Sequence, residues 1–166
     1  MKKYVVLLMT VMLFFAFSQT NALAANYDKA TTTKKVKVYA GAGTSERVRF
    51  TIPKGKSVKV MGAEQEGWDQ YELSNAEKYG FYFVSYKGKT GWIAQGFLKF
   101  KNPYNWVPGI KLEAIKYADY YADGNPYKFV KGSNWHSEGY YDVMVKMSGK
   151  WYKVGYVNCK TGWAHG

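Results

Sequence analysis

Short segments in which apolar and charged residues alternate recur along this chain, and nothing else in the sequence restricts its fold so much. They include Lys35-Val36-Lys37-Val38-Tyr39, Val48-Arg49-Phe50-Thr51-Ile52 and Ser57-Val58-Lys59-Val60-Met61. A period of two sends successive side chains to opposite faces of an extended strand, so each segment buries one face and wets the other. Turn residues break the pattern: Gly41 to Ser45, then Pro53-Lys54-Gly55-Lys56, then Glu66-Gly67 before Trp68. Phe81 to Tyr86 is a further strand, Lys87-Gly88 a tight turn and Thr90 to Ile93 its return partner. Ser74 followed by Glu77 and Gly80 carries capping signals for a single helical turn. Many short strands with frequent turns predict an all-β protein, a sandwich or a small barrel.

The first 25 residues follow another rule. Lys2 and Lys3 precede an apolar run from Val5 to Phe17, then polar Ser18 to Asn21 and small residues at Ala22 and Ala24. This is the pattern of a signal peptide cleaved near Ala24 or Ala25. The run falls short of the roughly 20 apolar residues of a membrane helix, although an uncleaved anchor is the alternative. The expectation is a secreted protein, extracellular or wall-associated, with no transmembrane segment once the leader is removed.

Lys and Arg total 24 against 12 Asp and Glu, and loss of Lys2 and Lys3 takes the formal charge from +12 to +10. Such an excess favours an anionic partner, while solubility alone is the plainer explanation. With one cysteine, Cys159, no intramolecular disulfide can form, and packing must stabilise the fold. Aromatic residues make up 19% of the chain, with Tyr predominating, so hydroxyl-tipped rings are available for the surface as well as the core.

Six blocks then carry a family resemblance: Val36-Lys37-Val38, Gly41-Ala42-Gly43-Thr44-Ser45, Ile52-Pro53-Lys54-Gly55, Val58-Lys59-Val60, Gly67-Trp68 and Gly88-Lys89-Thr90-Gly91-Trp92-Ile93. In this order and spacing the segment resembles a bacterial SH3 (SH3b) domain over about residues 33 to 100. It departs from the family pattern in two places. The first-strand Leu-Asn-Val-Arg pattern is represented by Val36-Lys37-Val38-Tyr39, and extra residues from Asp69 to Gly80 separate Gly67-Trp68 from the next strand. Further on, Lys89-Thr90-Gly91-Trp92 recurs as Lys160-Thr161-Gly162-Trp163. This predicts tandem modules: a flexible entry at 26–33, an SH3b-like domain at 34–100, a linker at 101–109 in which Trp106 plugs the seam, and a divergent second SH3-like domain at 110–166. One continuous domain is the rival. Within the second unit, Lys111 to Tyr121, Tyr127 to Val130 and Tyr140 to Met147 are candidate strands, and Asp123-Gly124-Asn125-Pro126 is a turn.

A catalytic reading starts from Cys159 with His136 or His165, since a thiolate needs a base beside it. Cys159 falls at a hairpin turn and His165 in the tail, and no catalytic residue is assigned. Two His and one Cys at unrelated spacings match no metal site, and no cofactor is expected. Glu64, Glu66 and Asp69 read as solvated loop charges around Trp68 rather than paired glycosidase carboxylates. Binding asks less of the sequence. The resemblance places aromatic ligand contacts at Tyr39, Trp68, Tyr71 and Tyr86. Trp92 joins them, although its Gly-Trp setting also fits a structural ring, and Trp135, Tyr140 and Trp151 are their counterparts in the second unit.

The resemblance implies a non-catalytic module that binds peptidoglycan through its wall peptides, with anionic cell-wall polymers attracted by charge. A secreted inhibitor, immunity factor or toxin-like protein acting on another protein is the alternative. Nucleic acid is not a physiological partner for an exported chain.

Overall fold

The computed structural model describes residues 27–64, 80–132 and 139–166. The protein is mostly strand with little helix, in two antiparallel sheets, as an all-β reading requires. The first unit comprises β1 (Asp28–Thr32), β2 (Val36–Tyr39), β3 (Val48–Ile52), β4 (Ser57–Glu64), β5 (Phe81–Tyr86), β6 (Lys89–Ala94), a 3-10 turn (Gln95–Phe97) and β7 (Leu98–Phe100). These strands form one seven-stranded sheet in the order β3-β2-β6-β5-β4-β1-β7. The alternating segments fold as their period requires: Val36, Val38, Ile52, Val58, Val60, Val84 and Ile93 are buried at 2% exposure or less while the lysines between them face solvent. Lys87 and Gly88 both take positive φ, 49° and 77°, which sets the tight turn between β5 and β6.

Residues 26–33 had been expected to form a flexible entry, and β1 corrects this. It lies inside the sheet between β4 and β7, with Asp28, Ala30 and Thr32 buried. Its inward residues are small, so it lacks the large apolar alternation that marks the other strands. The Thr32 hydroxyl replaces bulk with bonds, donating to the Pro53 carbonyl at 2.7 Å and accepting from the Lys56 amide at 3.0 Å.

The second unit contains α1 (Ile110–Ala122), β8 (Tyr127–Lys131), β9 (Tyr140–Met147), β10 (Lys150–Asn158) and β11 (Ala164–His165), the strands lying in the order β11-β10-β9-β8. The strand expected across Lys111 to Tyr121 is therefore a helix. Ile110, Ala114, Ala118 and Ala122 recur every four residues and are its buried face. Alanine is the best helix former and lets a helix lie close to its neighbour. Leu112, Tyr120 and Tyr121 lie on the exposed side of the helix. Asp123 ends the helix in the left-handed region, φ 44° and ψ 50°, so the expected turn acts as its C-cap.

A second barrel matching the first is likewise replaced by a helix packed on a four-stranded meander. Thr90-Gly91-Trp92 lies within β6, whereas Thr161-Gly162-Trp163 lies in the turn between β10 and β11. The repeated tetrapeptide is a likeness of sequence rather than of position.

The two units share a seam. Trp106 packs against both cores and stacks on Tyr141 at 5.0 Å. The Val107 amide donates to the Cys159 carbonyl at 3.0 Å, and the Cys159 thiol donates to the Pro103 carbonyl at 3.1 Å. Lys160, reaching from the β10–β11 turn, pairs with Asp28 of β1 at 2.6 Å and also donates to the Asn105 carbonyl. A cleft of about 710 Å³ opens beside this ion pair, lined by Tyr27, Asp28, Lys101, Pro103 and Asn105 among others.

Candidate ligand-binding face

In an antiparallel sheet, residues directly opposite one another share a face. Tyr39 of β2 is opposite Trp92 of β6, and Trp92 is opposite Phe83 of β5. One row across three strands therefore carries three half-buried rings. Their face is the reverse of the core, since the intervening residues Val38, Ile93 and Val84 point inward. Phe83 and Trp92 touch at 5.2 Å, and Tyr39 meets Phe81 edge-on at 6.2 Å. Phe81, two residues from Phe83 on the same face of β5, is fully buried and bounds the ledge of Tyr39, Trp92 and Phe83 on that side. Beyond Phe83 the next register partner is Gly62, which leaves that end of the ledge without a side chain.

The ledge depends on Gly91. A Cβ there would stand 2.6 Å from the Tyr39 carbonyl oxygen and 2.6 Å from Val38 Cγ1. Only glycine lets β2 and β6 approach closely enough to set Tyr39 beside Trp92. The hairpin loop after Tyr39 adds polarity, because Glu46 folds back over Gly41 and the Ala40 amide bonds to the Arg47 carbonyl at 2.9 Å.

The structure distributes the predicted binding residues over several places. Tyr39 and Trp92 come together. Tyr86 lies on the opposite face of β5, packed against the core with Lys87 Nζ 5.6 Å from its ring centre. Tyr140 and Trp151 belong to the second sheet, where Trp151 is 39% exposed under the ammonium of Lys128 at 4.1 Å. Trp68, Tyr71 and Trp135 lie outside the described residues, as do His136, Glu66 and Asp69. Sequence reasoning missed Phe83 because an alternating aromatic run does not reveal which ring faces the core; its pairing with Trp92 does.

Cys159 is fully buried, and burial pushes its thiol up to about 11, with Asp28 adding to the rise and Lys160 opposing it. That is the reverse of the lowered pKa a thiolate nucleophile requires. Tyr82, buried beside Cys159 and Asp28, is raised further still. Two outcomes follow. At neutral pH a thiol reagent modifies Cys159 only as fast as the protein unfolds, measured by comparing labelling in buffer and in urea. The folded state holds the neutral thiol, so its contribution is complete below pH 9.0 and is lost as pH rises from 9.0 through about 11. Thermal melts across that window should show a falling midpoint.

Residues 34–99, running from the approach to β2 into β7, match the bacterial SH3 domain family. The ledge falls within that match, and β1 and the second sheet fall outside it. No curated protein matches the chain.

Proposed function

We propose, proceeding from a bacterial SH3 domain at residues 34–99, that this is a secreted, non-catalytic protein that binds the bacterial cell wall, and that the SH3 domain recognises peptidoglycan peptides on the Tyr39–Trp92–Phe83 ledge. The family is often involved in cell-wall binding. The observation that carries the finer reading is the three-ring row on the reverse of the core. It presents apolar area in a fixed arrangement, with polar groups of the 41–46 loop at its Tyr39 end. Rigid aromatic rings bind at low entropic cost, and a peptide lying across the strands can pack on them while its amides stay solvated or paired. The apolar leader and the basic charge support export and an anionic setting.

Phe83→Ala should weaken binding to peptidoglycan stripped of anionic polymers by about fivefold, the scale of one lost aromatic contact, with little change at low against high salt. Co-sedimentation across a salt series measures it. Unchanged binding would remove Phe83 from the site.

One observation favours the protein-partner reading: α1 exposes Leu112 at 58% and Tyr120 at 80%. Large apolar side chains at that exposure suit a protein contact. Loss of a co-purified protein on Tyr120→Ser, with wall binding unchanged, would support it.

A further inference from the structure

The second sheet has two unlike faces. Val143, Val145 and Val157 point towards α1 and are fully buried. On the reverse, β9, β10, β11 and the turn before β11 bring together four rings. Tyr156 is opposite His165 and stacks on it at 5.8 Å and 17°. Trp163 lies 5.7 Å from Tyr156 and 5.9 Å from His165, and Tyr140 of β9 meets Tyr156 edge-on at 5.8 Å. Tyr140, Tyr156 and Trp163 are half-buried and His165 is exposed, so the cluster is a surface feature rather than a core.

The same face continues to a second aromatic site. Trp151 is opposite Lys146 and Tyr140 is opposite Asn158, so six residues of β9 separate the two ends. At about 3.3 Å per residue the strip is about 20 Å long. Its charge is one-sided: Lys128, Lys146 and Lys153 lie on it, against Asp142, which pairs with Lys153 at 2.5 Å. Lys128 and Lys153 flank Met144 in one register row, and Lys153 also lies 5.4 Å over Tyr156. Cations alternate with rings along the length of the face.

We propose that this outer face is a second binding surface, taking an extended anionic polysaccharide: sugar rings stack on the Tyr156–Trp163–His165 cluster and on Trp151, and carboxylate or phosphate substituents meet the lysines between them. The ring cluster supplies flat apolar surface for the C–H face of a pyranose. The lysine excess supplies the charge complement, and the strip's length requires a chain rather than a single sugar. This surface shares no residue with the ledge of the SH3 domain, and its occupation does not depend on what the ledge binds.

Calorimetric titration of the mature protein with four soluble probes tests the proposal. Oligogalacturonate offers rings with charges, cellohexaose rings alone, polyglutamate charges alone, and oligothymidylate an anionic chain of another class. Oligogalacturonate should bind best. A sugar-phosphate polymer tested in parallel identifies which anionic substituent is preferred, and either preference fits. Trp163→Ala and His165→Ala should each weaken binding about fivefold or more, His165 being exposed and therefore safe for folding. Lys146→Gln should cost about twofold at low salt and nothing at high salt. Trp92→Ala should leave this affinity unchanged. Equal or tighter binding of polyglutamate or oligothymidylate, binding of none of the sugars, or indifference to both ring variants would overturn the proposal.

Discussion

Lys160→Met should lower the free energy of unfolding by about 3–5 kcal/mol, because it leaves the Asp28 carboxylate buried without its partner. Asp28 and Lys160 are each 6% exposed, and the ammonium also donates to the Asn105 carbonyl while lying 4.4 Å from the Phe100 ring centre. A domain of this kind has a total stability of about 5–15 kcal/mol, so the loss is a large fraction of it. Methionine keeps the unbranched bulk and removes the charge together with its N–H donors. The discriminating partner is the double variant Asp28→Asn/Lys160→Met, in which neither charge remains buried. It should recover more than half of the loss, since a buried pair is retained less for net stability than because half of it cannot be left alone. Urea unfolding of the two single variants and the double variant measures the coupling. Strictly additive losses would show that the pair does not act as a unit. The effect also has a spatial meaning, because β1 enters the first sheet and Lys160 belongs to the second unit, so the bond holds the units in register.

Gly91→Ala should be the most damaging glycine-to-alanine change among the described residues of the first sheet. The added carbon would meet a backbone oxygen and a core side chain, each at 2.6 Å, and a sheet backbone cannot yield as a surface side chain can. Overpacking of this kind costs about 1–3 kcal/mol, and here the relief is for β2 to separate from β6, which takes Tyr39 away from Trp92. Wall binding should fall together with the melting temperature. Gly88→Ala is the control: nothing lies within 4 Å of its added carbon, and the cost is limited to the positive φ of 77°, about 1 kcal/mol. If both variants melt alike and bind alike, the close approach of the strands is not what holds the ledge.

Gly91 and Gly162 also show what the sequence can and cannot reveal. Both stand in Lys-Thr-Gly-Trp, yet Gly91 is required by a close strand contact, whereas Gly162 takes a φ of 77° in a turn. Alternation located β3 and β9 at their observed bounds, and a run of aromatic and β-branched residues located β5. It missed β1, whose inward residues are Asp28, Ala30 and Thr32, and it misread α1, whose buried stripe is mostly alanine. The ledge was legible through Tyr39 and Trp92 as individual aromatic positions. Phe83 became visible only through the register of β5 on β6. The second ring cluster was harder still to read, since Tyr156, Trp163 and His165 meet only when β11 folds back on β10.

The most direct test is co-sedimentation of the protein with peptidoglycan stripped of anionic polymers, at high salt, comparing the unaltered chain with Trp92→Ala. Trp92 is the middle ring of the ledge, and central aromatic residues are where binding energy concentrates. The account predicts that the unaltered protein sediments with the stripped wall and that Trp92→Ala, shown folded by an unchanged far-ultraviolet spectrum, binds about tenfold more weakly or worse. Binding that requires the anionic polymers, disappears with salt and ignores Trp92→Ala would contradict it, and would leave charge rather than the ledge as the basis of wall attachment.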